Sequence, residues 1–251
     1  DNTAISGETI DFGPCAFMEE YNPLMVFSSI DKQGRYAYGR QPSILKWNLS
    51  VLGHCFLTLV DPDIKTAEGK IEAVLNEFDS LFQNQWLNDT AKKFGLKNGL
   101  PEDTLLFENF FNWMLENKYD FTLSFRFLSR CLVADETTLL EIKKTFNIDY
   151  TSKAFENWFL QWKDKVKARV NAEKLNLDDV IKLMNSVNPA YIARNHRVEE
   201  AIKAAVEQND MTVFEKLLAT LQSPFVEKTE LEEFLHPAKE NEKVSATFCN
   251  T

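Results

Sequence analysis

Apolar side chains recur at three- and four-residue intervals along most of the chain, the spacing of helices that each bury one face. Ile71, Val74, Leu75, Phe78, Leu81 and Phe82 form one such stripe. Leu105 to Leu115 forms another, with Phe107, Phe110, Phe111 and Trp113, behind the helix-start signal Pro101-Glu102-Asp103. Further helices are predicted over 136–146, 152–170, 177–186, 195–208 and 210–221, with Asn209-Asp210 ending one and capping the next. Ile44 to Leu59 is broadly apolar up to Asp61-Pro62 and is expected at the centre of the core. The 20 Phe and 5 Trp fall at helical spacing and read as core rather than as a ligand box.

The first 42 residues break this pattern. Ala4-Ile5 and Thr9-Ile10 read as two very short β-branched strands around a Ser6-Gly7-Glu8 turn. Such a hairpin brings Asp11 back beside Asn2, so that an amide carbonyl and a carboxylate face one small volume. Hard oxygen ligands at that proximity suit Mg²⁺ or Mn²⁺, with the phosphates of a nucleotide completing the shell. Asp11-Phe12-Gly13 after a strand, with an upstream Asn, is the metal-binding half of a kinase-like active site; the competing reading is a hairpin followed by a polar turn. In ordinary kinases the base precedes the metal Asn by five residues, whereas Asp1 is adjacent to Asn2. Either the base lies further upstream or the family is a divergent one.

Pro14, Pro23, Gly34, Gly39 and Pro42 interrupt the stretch that follows, where a kinase-like fold places its activation segment. Arg35 and Arg40 within it either approach nucleotide phosphate or substrate, or pin the loop to nearby carboxylates. The organisation expected is a metal-binding hairpin and activation-segment-like loop over 1–42, a helical body over 43–225 and a charged, mobile tail over 226–251.

Charge and composition narrow the partners. With 38 acidic against 28 basic residues the net charge is −10, which argues against a nucleic-acid groove. The longest apolar run, Leu49 to Val60, is too short to span a bilayer, so no membrane partner is expected. Cysteines at 15, 55, 131 and 249 lack metal-ligand spacing and point to a reducing compartment. His54, in an apolar run, reads as a satisfied core residue. The chain begins without Met, inside a catalytic motif, and reads as the C-terminal piece of a longer protein.

Longer motifs decide between the kinase readings. Asp11-Phe-Gly-Pro-Cys-Ala-Phe-Met18, Asp31-Lys-Gln-Gly-Arg-Tyr-Ala-Tyr-Gly-Arg-Gln-Pro42, Trp47-Asn-Leu49, Asn188-Pro-Ala-Tyr-Ile-Ala-Arg-Asn195 and Leu217-Leu-Ala-Thr-Leu-Gln-Ser-Pro-Phe225 resemble, in register, segments of the selenoprotein O (YdiU) family. That resemblance implies a mainly α, kinase-like C-lobe with a short hairpin at the metal site and a C-terminal helical extension. It also implies transfer of AMP from ATP onto protein hydroxyls, with Asp1 as base, Asn2 and Asp11 as Mg²⁺ or Mn²⁺ ligands, and Asp11 facing the nucleotide. A phosphotransferase of the same fold and a non-catalytic interaction module are the alternatives. The implied partners are ATP and protein substrates, the expected state a monomer, and the location cytoplasmic in a bacterium or mitochondrial in a eukaryote. The nucleotide-gripping residues of the family lie in an N-terminal portion, so this chain alone is expected to be inactive. The resemblance further implies redox control through Cys249, which in some members pairs with a cysteine in the activation segment. The usual partner position is Phe27 here, leaving Cys15 as a substitute or Cys249 as an unpaired, exposed thiol.

Overall fold

A computed structural model of the chain describes residues 3–4, 6–7, 16–146, 148 and 152–247, except the side chains at 136, 140, 143 and 145. Eleven α-helices run through the described residues: α1 Gln41–Cys55, α2 Leu57–Val60, α3 Ile64–Leu75, α4 Phe78–Lys93, α5 Thr104–Asn117, α6 Phe121–Cys131, α7 Glu136–Phe146, α8 Lys153–Glu173, α9 Leu177–Val187, α10 Asn195–Gln208 and α11 Thr212–Leu221. The β-structure among them is one isolated bridge, Glu20 to Asp120. Two compact units divide the chain: Asp1–Cys15, Asn22–Trp86 and Ala246–Thr251 in the first, Ala16–Tyr21 and Leu87–Ser245 in the second.

The second unit holds the core, and α6 is its most completely buried helix. Asp120 caps it by accepting the Leu123 N–H at 2.7 Å. Thr122 through Ser129, and Cys131, are all buried. The periodicity rule misses this helix, because Phe121-Thr-Leu-Ser-Phe-Arg-Phe alternates apolar and polar positions as a strand would. Thr122, Arg126 and Ser129 do share one helical face, but that face is buried with the rest, and the short alternating start hides the helical pattern. Its small polar residues need no outside partner: Ser124 Oγ donates to Asp120 O at 2.7 Å and Ser129 Oγ to Arg126 O at 2.9 Å. The Cys131 thiol on the same helix is pushed up to about 12 by burial, which makes it inert as a nucleophile.

Aromatic rings fill the space between α5, α6 and α8. Phe94 stacks on Phe107 at 4.7 Å and meets Phe110 and Phe125 edge-on at 5.3 Å. Trp158 stacks on Phe110 at 4.8 Å. The two buried indoles keep their N–H groups satisfied: Trp158 donates to Leu106 O at 2.7 Å and Trp162 to Phe94 O at 2.9 Å. The expected helices at 136–146, 152–170, 177–186, 195–208 and 210–221 are present within a few residues. Asn209, in the left-handed conformation at φ 51°, ends α10. Asp210 then accepts the Thr212 N–H at 2.9 Å as α11 begins.

The first unit behaves differently. Ile44 to Leu59 does not form the centre of a core: Trp47, Val51, Phe56, Leu59 and Val60 are exposed, and so are Val74 and Leu81 of the next stripe. His54 is likewise exposed, its Nδ1 paired with Ser50 O at 2.8 Å. Among the described residues this unit buries Ala37, Asn48 and Ala67 alone. Burial of an apolar helix face needs a second layer against it, and α1 to α3 do not supply one for themselves. What packing they have is close: a Cβ on Gly53 would come within 2.7 Å of the Ile71 side chain. The tail, by contrast, carries a 3₁₀ turn over Thr229–Phe234, and Phe234 and Leu235 join the core of the second unit.

Replacing Phe94 by Ala should cost about 3–5 kcal/mol, since the ring's neighbours cannot close the space it leaves. Urea unfolding of the variant measures it; a loss below about 1 kcal/mol would mean that the aromatic cluster does not hold the unit together.

Candidate active site

Asp1, Asn2, Asp11, Cys15 and Cys249 lie outside the described residues, as do most positions of the expected hairpin. Within that stretch Thr3, Ala4, Ser6 and Gly7 are described: Gly7 N–H meets Ala4 O at 3.4 Å, and Gly7 takes the left-handed φ of 69° that a side chain disfavours. Among the described residues no group of three His, Cys, Asp or Glu side chains could hold a metal ion. The fit of the expected Mg²⁺ or Mn²⁺ therefore rests on the donor set: an Asn carbonyl and an Asp carboxylate, hard oxygens, suit either ion.

Residues 16–21, a little beyond Asp11-Phe12-Gly13, are held by the Asn188–Asn195 motif. Asn195 clasps Phe17 from both sides, its Oδ1 accepting the Phe17 N–H at 3.1 Å and its Nδ2 donating to Phe17 O at 3.3 Å. Arg194 is fully buried, with Nη1 at 2.8 Å from Asp120 Oδ2 and 3.1 Å from Glu19 Oε1. Its Nε and Nη2 both donate to Leu235 O, at 3.1 and 2.7 Å. Burial alone would lower the pKa of this guanidinium, but Asp120, and then Glu19, more than reverse it. Backbone pairing completes the attachment: Tyr21 N–H to Tyr119 O at 3.0 Å and Phe121 N–H to Glu19 O at 2.7 Å.

The rest of the motif ties in further parts of the second unit. Asn188 and the end of α4 hold each other, Asn188 Nδ2 to Lys93 O at 3.0 Å and Lys93 Nζ to Asn188 Oδ1 at 3.2 Å. Ala190 and Tyr191 donate their N–H groups to Pro224 O at 2.7 and 3.1 Å, which brings the two C-terminal motifs together. Tyr191 OH both donates to Lys228 O and accepts the Lys228 N–H. The motif is the joint that links α9 to α10, opened by the Asn188-Pro189 breaker. Its long-range partners Glu19, Lys93 and Asp120 went unnoticed; Asp120 alone had a local signal, as an N-cap before an apolar run.

Two of its own side chains, Asp31 and Arg40, tie the loop over 22–42 to its backbone. Asp31 accepts the N–H groups of Arg35 and Tyr36, both at 2.8 Å. Arg40 does pin the loop, but through the carbonyls of Gln33 and Gly34 at 3.0 and 3.2 Å rather than a carboxylate. Arg35 lies over the Trp47 ring at 4.6 Å. Phe27, the position that the resemblance connects with the terminal cysteine, has its carbonyl bonded by Thr247 Oγ1 at 2.8 Å, and Ser29 N–H donates to Thr247 O at 2.7 Å.

Comparison with known proteins places these motifs in a family. A family model described as protein adenylyltransferase SelO matches residues 1–222, which takes in every motif up to α11. Proteins named protein nucleotidyltransferase YdiU from Maridesulfovibrio salexigens, Rhizobium etli and Rhodopseudomonas palustris are 43%, 41% and 41% identical to it over 251 residues. Each alignment covers 100% of this chain and 49% of the relative, so the chain spans about half the length of the curated relatives it matches. The chain belongs to the SelO family. No helix among the described residues is long and apolar enough to cross a membrane.

Desolvation, with two aromatic faces and one amide around it, brings the Lys93 ammonium down to about 8. The folded pKa lies below the unfolded 10.5, so the unfolded chain holds more protons between those values and stability from this group rises as pH climbs from 8 to 10.5. Comparing urea midpoints of wild type and Lys93→Met across that range should show a rise of up to roughly 3 kcal/mol in the wild type only. Equal slopes in the two proteins would contradict it.

Proposed function

We propose that this chain is the metal-binding part of an ATP-dependent protein adenylyltransferase with a kinase-like C-lobe, which transfers AMP to Ser, Thr or Tyr hydroxyls of proteins. The observation that carries the reading is the family match over residues 1–222, within which Asp1-Asn2 and Asp11-Phe12-Gly13 stand intact. Asp1 orients the acceptor hydroxyl and takes its proton as the oxygen attacks the α-phosphorus. The bond from that phosphorus to the bridging oxygen breaks, and pyrophosphate leaves with the electron pair. Asn2 and Asp11 would hold Mg²⁺ or Mn²⁺, which when bound neutralises charge developing on the phosphates. Because so little covalent chemistry falls to the protein, positioning carries most of the rate. The attachments of 16–21 support this reading, since they hold the chain a few residues beyond the Asp-Phe-Gly motif.

The chain alone is inactive on this reading, lacking groups to grip the triphosphate. The uncovered apolar faces of α1 and α3 support its belonging to a larger folded body. Full-length protein given ATP labelled at either the α- or the γ-phosphate provides the test. Label from the α-position should appear on protein, vanish with EDTA and return with Mn²⁺, and be absent with this chain alone. Transfer of γ-label would favour the phosphotransferase, and transfer of neither would leave the non-catalytic module.

A further inference from the structure

Helix α1 presents an inversion of the usual pattern. Its apolar residues Trp47 and Val51 are exposed, while Asn48 between them is 9% exposed and the sole buried residue of the helix. Asn is a poor choice for a helix interior, because its amide competes with the backbone for hydrogen bonds. Buried, it also demands a partner. Asn48 Nδ2 donates to Thr3 Oγ1 at 2.8 Å, across 45 residues of sequence. Thr3 follows directly on Asn2, so the anchored Cα is only ~3.8 Å along the chain from that of the proposed metal ligand. A β-branched side chain is stiff at χ1, so holding Oγ1 restrains the backbone through a single torsion. On the other side of Thr3 the chain turns at once, Gly7 N–H closing on Ala4 O. Thr3 is thus tied on one flank to a helix and followed on the other by a closed turn.

We infer that Asn48 is a positioning residue for the reaction. It acts through Thr3, the sequence neighbour of Asn2, without itself touching metal or nucleotide. This rests on the roles proposed above for Asp1, Asn2 and Asp11. Groups that support metal ligands from behind typically change metal affinity or activity by about 10- to 100-fold when removed, and catalytic constellations tolerate displacement of only about 0.5 Å. It also accounts for a buried Asn at a place where Ala or Leu would favour the helix.

The test uses full-length protein and Mn²⁺, whose free concentration is read by electron paramagnetic resonance in the presence of ATP. Asn48→Ala and Thr3→Val should each weaken Mn²⁺ binding about 10- to 100-fold and lower kcat, with KM for ATP little changed. The double variant should be no worse than either single one, because both remove the same bond. Thr3→Ser, which keeps the hydroxyl, should retain wild-type binding. Thr3 is exposed, so Thr3→Val remains informative if Asn48→Ala fails to fold. Asp11→Asn separates the two layers of the argument. If it binds Mn²⁺ as wild type does, the metal-site reading fails and positioning falls with it. If Asp11→Asn loses the ion while Thr3→Val keeps it, or if the effects of the two single variants multiply in the double, Asn48 is an ordinary structural residue and the inference alone is overturned.

Discussion

A guanidinium with no exposed surface governs the second unit. Taking Arg194 out of water is tolerable only because its donors are met by two carboxylates and a carbonyl, Asp120, Glu19 and Leu235. Those partners come from the stretch after the Asp-Phe-Gly motif, the cap of α6 and the segment beyond α11. Removing any of them strands a buried charge, so the three segments hold or loosen together. Asn195 extends the same grip by one residue, using an amide to imitate the edge of a strand against Phe17.

That constraint gives the 188–195 motif a structural role within the second unit. Residues 188–195 fix the path of 16–21. Asn48, in the Trp-Asn-Leu motif, does the corresponding work upstream by holding Thr3. The 22–42 loop is shaped mainly by Asp31, Arg40 and Thr247. Catalysis by positioning needs such restraint on the backbone that carries the ligands.

Where the sequence spoke through periodicity, its helices were readable. From α7 to α11 each helix has one apolar face, and the expected limits lie within a few residues of those found. Periodicity failed at both extremes of burial. Helix α6 is buried on every side and showed a strand-like alternation, while α1 is richly apolar yet exposes Trp47 and Val51. A stripe records that a face avoids water and not which layer covers it, so the placing of α1 at the centre of the core could not be secured from the chain itself. The candidate metal ligands Asn2 and Asp11 were recognisable as residue types at a spacing. The long-range bonds Arg194–Glu19 and Asn48–Thr3 were not, because they join positions 175 and 45 residues apart.

Amide hydrogen exchange at Phe17, Tyr21 and Phe121 bears most directly on whether the buried Arg194 grip holds the chain after the Asp-Phe-Gly motif. Their N–H groups donate to Asn195, Tyr119 and Glu19 respectively. All three should be protected to the level of α6, and Arg194→Met should speed all three together while α5 and α8 remain protected. Exchange in the wild type as fast as in exposed loops, or unaltered protection in the variant, would contradict the account.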